Sequence, residues 1–147
     1  MIASLDAPVG AEALFAAVED LDQYPAWLEI VPRAVRVDAA PADPGPAWSV
    51  DLRGRLGPLA RSKRLRMART AHEQGRHVRF ERAEVDGRQH SSWVLDAAVA
   101  ARGSAGGGSR LTMSLHYGGG LFGPVLERIL VEEIERSKPR LLALLTA

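Results

Sequence analysis

Two periodicities divide the chain. Between Ala34 and Tyr117 apolar side chains recur mostly at every second position, and from Leu121 to Leu145 they recur every three or four. In that last stretch they fall at Phe122, Val125, Leu126, Ile129, Leu130, Ile134, Leu141, Leu142 and Leu145, which is helical spacing with one wide apolar face. Arg128, Glu132, Glu135 and Arg136 take the other side, Glu132 and Arg136 forming an i,i+4 pair of favourable orientation. Gly123-Pro124 offers a cap followed by a proline at the first helical position, where the missing N–H costs nothing. Pro139 removes a backbone donor and predicts a kink or break near Glu135 to Lys138.

The remainder reads as a strand, two short helices and six further strands. Ile2 to Asp6 is a strand that Ala7-Pro8-Val9-Gly10 stops. Ala11 to Glu19 follows as a helix with Leu14, Phe15, Val18 and Leu21 on one face. Asp22 can cap a second helix, about Gln23 to Val31, with Pro25 near its start and Trp27 and Ile30 or Val31 buried. Ala34 to Ala39 alternates, Val35 and Val37 against Arg36 and Asp38, and the proline-rich Ala40 to Pro46 is a loop. Trp48, Val50 and Leu52 mark the next strand, and Gly57-Pro58 turns it into Ala60 to Ala71. There the alternation admits two faces: Leu65 and Met67 inward, the preferred reading, or Ser62, Arg64 and Arg66. Gln74-Gly75 is a hairpin turn into a strand on which Val78, Phe80 and Arg82 share a face, and Asp86-Gly87 is a strong hairpin signal. Ser91, Trp93, Leu95, Ala97 and Val99 form the following strand. Gly103 to Ser109 is a glycine-rich connection that precedes no helix and so makes no phosphate loop; Leu111, Met113, Leu115 and Tyr117 complete the sheet. Strands joined by short turns are antiparallel neighbours, and a one-sided antiparallel sheet needs a cover, for which only the terminal helix is long enough. The fold class is therefore α+β: a curved antiparallel sheet of about seven strands around a long C-terminal helix, with two short helices between the first two strands.

Composition narrows the chemistry. The 147 residues suit a single domain spanning 1–147, and the 46% apolar and 25% charged residues are ordinary for a globular protein. The chain holds no cysteine, so thiol chemistry, disulfides and cysteine-ligated metals are excluded. No apolar run approaches the ~18–20 residues of a membrane span, and no basic segment with an apolar core opens the chain, which makes the cytoplasm the expected compartment. A net charge of +1 gives no general case for nucleic acid. Locally the balance differs. From Leu52 to His72 there is no Asp or Glu, whereas Arg53, Arg55, Arg61, Lys63, Arg64, Arg66 and Arg69 all fall inside. One reading is a solvated strand pair whose cations meet Glu81, Glu84 and Asp86; the other is a patch for an anionic ligand, a phospholipid surface or an acidic partner. No aromatic residues are interleaved for base stacking, so nucleic acid is not expected.

Among single residues Arg82 stands out, because it continues the inward parity of Val78 and Phe80, and a charge there needs a partner or a ligand. Glu84 or Glu133 could be that partner. Trp93 and Tyr117, inward on consecutive strands, could line a cavity with one polar tip each, and Met113 could adapt to varied ligands. Trp48 and Trp27 read mainly as packing. His72, His77, His90 and His116 show no metal-ligand spacing, so no metal site is expected. His90-Ser91, as strand neighbours, would point to opposite faces and form no nucleophilic pair. Glu133 lies between the Ile129/Leu130 turn and Ser137, where it could face the cavity as a lone acid or sit solvated at the edge of the apolar face, the preferred reading.

The order of elements, the Asp6-Ala7-Pro8 opening, the Asp20-Leu21-Asp22-Gln23-Tyr24-Pro25-Ala26-Trp27 segment and the terminal helix resemble the helix-grip (START-like, SRPBCC) superfamily. Its members include START-type lipid-binding domains, polyketide cyclases/aromatases and coenzyme-Q-binding proteins. The resemblance implies an apolar cavity between sheet and long helix that takes a hydrophobic small molecule or lipid, without a cofactor. It would be lined by Trp48, Val50, Leu52, Leu65, Met67, Val78, Phe80, Arg82, Trp93, Leu95, Met113, Leu115, Tyr117, Leu126, Leu130 and Ile134. The alternative is a cyclase/aromatase/dehydratase-like enzyme. Such enzymes carry a serine and an arginine two apart on one cavity strand and an arginine on the next, places that Ser62, Arg64 and Arg82 could occupy. An inward arginine would hold a polyketide carbonyl or enolate by charge-assisted hydrogen bonds.

Overall fold

Every stretch read as a strand is one. The computed structural model describes residues 1–54, 62–103, 107–118 and 123–147, the last segment by side chain from Glu127 onward. The strands are β1 (Ile2–Ala7), β2 (Arg33–Val37), β3 (Ala47–Leu52), β4 (Lys63–Glu73), β5 (His77–Arg82), β6 (Trp93–Ala101) and β7 (Ser109–Tyr117). The helices are α1 (Ala11–Ala16), a 3-10 helix over Leu21–Ala26, and α2 (Gly123–Thr146). All seven strands form one antiparallel sheet in the order β1-β7-β6-β5-β4-β3-β2. The Gly57-Pro58 turn, the cations Arg55 and Arg61, and the Leu126 side chain lie outside the described residues.

Burial settles the open parity of β4. Leu65 and Met67 are 2% and 6% exposed, whereas the Arg64 side chain is 67% exposed. Two large apolar side chains turned to water would forfeit several kcal/mol of burial, about 1.5–3 each, and one exposed arginine forfeits nothing. Register then carries the parity across the sheet, Met67 standing opposite both Trp48 and Arg82. Between Arg69 and Ala71 the β4–β5 register shifts, a bulge that increases local twist.

Two covers share the concave face. The terminal helix was expected to lie there alone, but α1 packs on β6 and β7, and the 3-10 helix packs on β2 and β3. Leu14, Phe15, Val18, Leu21, Tyr24 and Trp27 from this first cover are all at most 4% exposed. The second helix predicted over Gln23 to Val31 is instead this shorter 3-10 helix, with Pro25 inside it. Asp22 does not cap it; its Oδ1 accepts from Trp48 Nε1 at 2.9 Å. Tyr24 Oη donates to Val18 O at 3.0 Å and Trp27 Nε1 to Ala17 O at 3.1 Å, so the cover folds back on the end of α1. Arg69 Nη1 fastens the same corner to β4 by donating to Glu19 O and Asp20 Oδ1 at 3.0 and 2.9 Å.

Two local signals play out differently from their expectation. α2 runs unbroken through Pro139. Ser137 Oγ donates to Ile134 O at 2.7 Å, and Leu130 and Leu141, on either side of the proline, are 3% and 1% exposed. Burial on both sides holds the axis that one lost backbone bond would release. Asp86-Gly87 does make a turn, with Gly87 at φ 76° and Asp86 Oδ1 accepting from Arg88 N at 3.0 Å. It does not join β5 to β6 directly, because residues 83–92 intervene. Within that loop Arg82 Nε donates to Glu84 Oε2 at 2.7 Å and Arg82 Nη1 to Ser91 O at 3.3 Å, side-chain bonds that replace the ladder there.

Two measurements test these contacts. Leu141→Ala is expected to lower unfolding stability by about 2–5 kcal/mol in chemical denaturation, and Leu144→Ala, on the exposed side of the same helix, by less than about 0.5 kcal/mol. Burial, aided by the Asp20 charge, pushes the Tyr24 phenol well above its ordinary value. The folded state therefore keeps the proton that the unfolded chain releases near pH ~10, and stability falls as pH rises through that value. Tyr24→Phe should flatten that alkaline loss while costing about 1 kcal/mol at neutral pH for the lost Val18 bond.

Candidate functional site

The concave face is filled at one end and open at the other. Where the 3-10 helix meets β3 and β5, rings interlock: Trp48 meets Phe80 edge-on at 5.5 Å and Tyr24 meets Phe80 edge-on at 6.2 Å. Val78 beside them is fully buried. Towards α2 the two layers separate and leave a cavity of about 110 Å³. Val50 and Leu52 of β3, Leu65 and Met67 of β4, Trp93 and Leu95 of β6, and Met113 and Leu115 of β7 form its sheet wall. Leu130 and Ile134 of α2 face them, and Leu21, Tyr24, Trp27, Leu28, Ile30 and Val31 close the side. Tyr24 and Trp27 spend their polar tips on Val18 O and Ala17 O, so they present carbon to the space. The chain has three methionines, and Met1, Met67 and Met113 all line it. Unbranched thioethers adjust to different shapes at small energetic cost.

Of the residues named from sequence, Trp48, Val78 and Phe80 share the face but belong to the packed end. Tyr117 stacks on Trp93 at 5.5 Å beside the cavity wall, with burial first and the Glu127 charge second raising its phenol pKa. Arg82 is on the expected face with its side chain only 9% exposed, yet it does not line the cavity. Its guanidinium is held by Glu84 at 2.7 Å, by Ser91 O and Oγ at 3.3 Å and by His90 Nδ1 at 3.3 Å. His90 and Ser91 lie in a loop rather than on a strand, so the opposite-face argument does not govern them; both turn to Arg82. Ser62 is exposed and Arg64 sits on the outer face, where its Nε donates to Asp51 Oδ1 at 2.8 Å. The arrangement that the cyclase resemblance assigned to Ser62, Arg64 and Arg82 is not assembled over the cavity, because β4 turns its apolar residues inward.

The sequence reading missed the side wall. Leu21, Tyr24, Trp27 and Leu28 recur at helical spacing, a legible signal of which Trp27 was read as packing while Tyr24 and Leu28 were given no place in the interior. Glu133, preferred at the solvated edge with an inward lone acid as the alternative, is 4% exposed and has Arg136 Nη1 at 3.6 Å from its carboxylate. A second, polar cleft of about 200 Å³ is lined by Glu29, Pro32, Arg53, Gly54 and Glu133.

The described cations of the basic stretch are largely spoken for. Arg64 pairs with Asp51, Arg66 with Asp43 at 2.6 Å and Arg69 with Asp20 at 2.9 Å. Hydrogen bonding from Arg66 holds the Asp43 carboxyl below its ordinary range against opposing burial. The neutralising acids come mainly from β3 and from loops, and Glu84 serves Arg82 and the Arg66 backbone N–H rather than an outward cation. Among the described residues no group of three or more His, Asp or Glu could hold a metal ion, and no helix is long and apolar enough to cross a membrane.

Similarity to known proteins follows the fold. Solved structures that resemble the chain include a START superfamily protein from Mycobacterium smegmatis, with TM-score 0.74 and 13% identity over 99% of this chain and 96% of that one. A protein from Thermus thermophilus matches with TM-score 0.66 and 17% identity over 99% and 92%. The di-domain ARO/CYC StfQ from the steffimycin biosynthetic pathway matches with TM-score 0.65 and 13% identity, over 97% of this chain and 49% of its own. No curated protein sequence matches the chain. The sequence model of one family covers residues 3–145, and on that match the chain belongs to the polyketide cyclase / dehydrase and lipid transport family.

Proposed function

We propose that this domain binds a compact hydrophobic small molecule in the cavity between the sheet and α2. The observation that carries the reading is the lining itself: apart from Ser114, it is built of hydrophobic and aromatic residues. Apolar surface left facing a void forfeits dispersion contacts, and an apolar guest restores them. At about 110 Å³ the space is well below the ~300–1,000 Å³ of sites for drug-sized molecules, which favours about one or two fused rings over a two-chain lipid.

An enzymatic reading needs a charged or hydrogen-bonding group aimed at the bound molecule. Arg82 is the residue on the right face for that task, and its guanidinium is already engaged by Glu84, Ser91 and His90. Binding is therefore the reading preferred over cyclisation or dehydration.

Native mass spectrometry of the protein purified without denaturation is expected to show an apolar molecule carried with it. Met113→Trp, which fills the space from the β7 side, should abolish that carriage and the quenching of tryptophan fluorescence by added aromatics. Arg82→Ala should leave both unchanged. A protein that is empty and indifferent to a panel of aromatics and fatty acids would overturn the reading.

A further inference from the structure

The polar cleft and the apolar cavity are built by the same three walls. Glu29 and Pro32 bracket Ile30 and Val31, Arg53 follows Leu52, and Glu133 sits beside Ile134 on α2, the first of each set lining the cleft and the second the cavity. Cavity and cleft share no lining residue, and a molecule would have to pass Leu52 and Ile134 to reach from one to Arg53 and Glu133 in the other.

Both groups have unused capacity. Glu133 is 4% exposed, and among the described residues its carboxylate accepts no hydrogen bond; Arg136 Nη1, at 3.6 Å, is beyond hydrogen-bond reach. Its carboxylate opens on the cleft, and a hydrogen-bond donor brought to it there forms a charge-assisted bond. Arg53 has no side-chain hydrogen bond or ion pair among the described residues and brings donors to the same cleft. Among the described residues the other charges at the corner are Arg140 and Glu29, 3.8 Å apart, and Glu29 has a further partner. An anionic head would face Glu133 and Glu29, and a cationic head would face Arg53, Arg136 and Arg140. A neutral group that gives one hydrogen bond and takes another suits both Glu133 and Arg53.

Building on the proposed hydrophobic-ligand reading, we infer that the ligand is a hydroxylated compact hydrophobe, its O–H donating to Glu133 and its oxygen accepting from Arg53. The cavity recognises the ring system and the cleft selects the alcohol or phenol among molecules of that shape.

The test compares naphthalene, naphthol and naphthoate by fluorescence titration and calorimetry against the wild-type protein, Glu133→Leu and Glu133→Gln. Naphthol is expected to bind at least about tenfold more tightly than naphthalene, with naphthoate weakest. Glu133→Leu should bring naphthol to the naphthalene level while leaving naphthalene affinity unchanged, which also reports that the cavity is intact. Glu133→Gln, of the same shape, covers the case in which Leu disturbs folding, and it should reduce the naphthol preference. Equal affinities of naphthalene and naphthol in the wild type overturn the hydroxyl assignment and leave the cavity reading standing. Tightest binding of naphthoate, or a naphthol preference untouched by both substitutions, overturns it as well. Failure of all three compounds to bind removes the cavity reading and this inference together.

Discussion

Phe80 is the wedge on which the interior is set. Trp48 and Tyr24 both meet it edge-on, joining β3, β5 and the 3-10 helix into one aromatic block. Trp48 is itself flanked by two guanidinium groups, Arg36 at 5.2 Å and Arg69 at 5.9 Å from its ring, and it donates to Asp22. The block fixes how far the first cover stands from the sheet. Close packing is complete there, so the shortfall in filling falls at the other end, between β6, β7 and α2. The cavity adjoins this block, Tyr24 belonging to both.

What was legible in the sequence follows from which forces act locally. Alternation in β3, β5, β6 and β7 reports burial directly, since a one-residue slip would turn every apolar side chain to water. The same force decided β4, whose basic residues offered a rival face and lost to Leu65 and Met67. Features settled by distant contacts were not legible. Pro139 is a local breaker, yet the buried Leu130 and Leu141 hold the helix across it. Asp86-Gly87 is a strong hairpin signal, yet Arg82 draws Glu84, His90 and Ser91 into a loop around itself. For Glu133 the neighbours on α2 left both an inward and a solvated place open, and the cleft it lines is completed by Arg53, just after β3, and Pro32, just before β2.

The run of cations between Leu52 and His72 carries a related lesson. In one dimension it is an unbalanced positive stretch; in the sheet, acids from elsewhere reach it. Asp51 lies opposite Arg64 by register, Asp43 folds over from the proline-rich loop to Arg66, and Asp20 arrives with the first cover to meet Arg69. Charge runs on a strand are properties of the pairing partners as much as of the strand, because neighbouring strands bring side chains within about 5 Å.

The pairing of β1 with β7 spans the greatest length of chain of any in the sheet. Ile2 finds Ser114 and Ala7 finds Ser109, so the first strand made is hydrogen-bonded only to the last. The paired residues are more than a hundred positions apart in sequence, so forming this pair closes a very long loop. Met1, Met113 and Leu115 wall the cavity from this seam. That wall of the cavity therefore rests on a contact between the two strands of the sheet most distant in sequence.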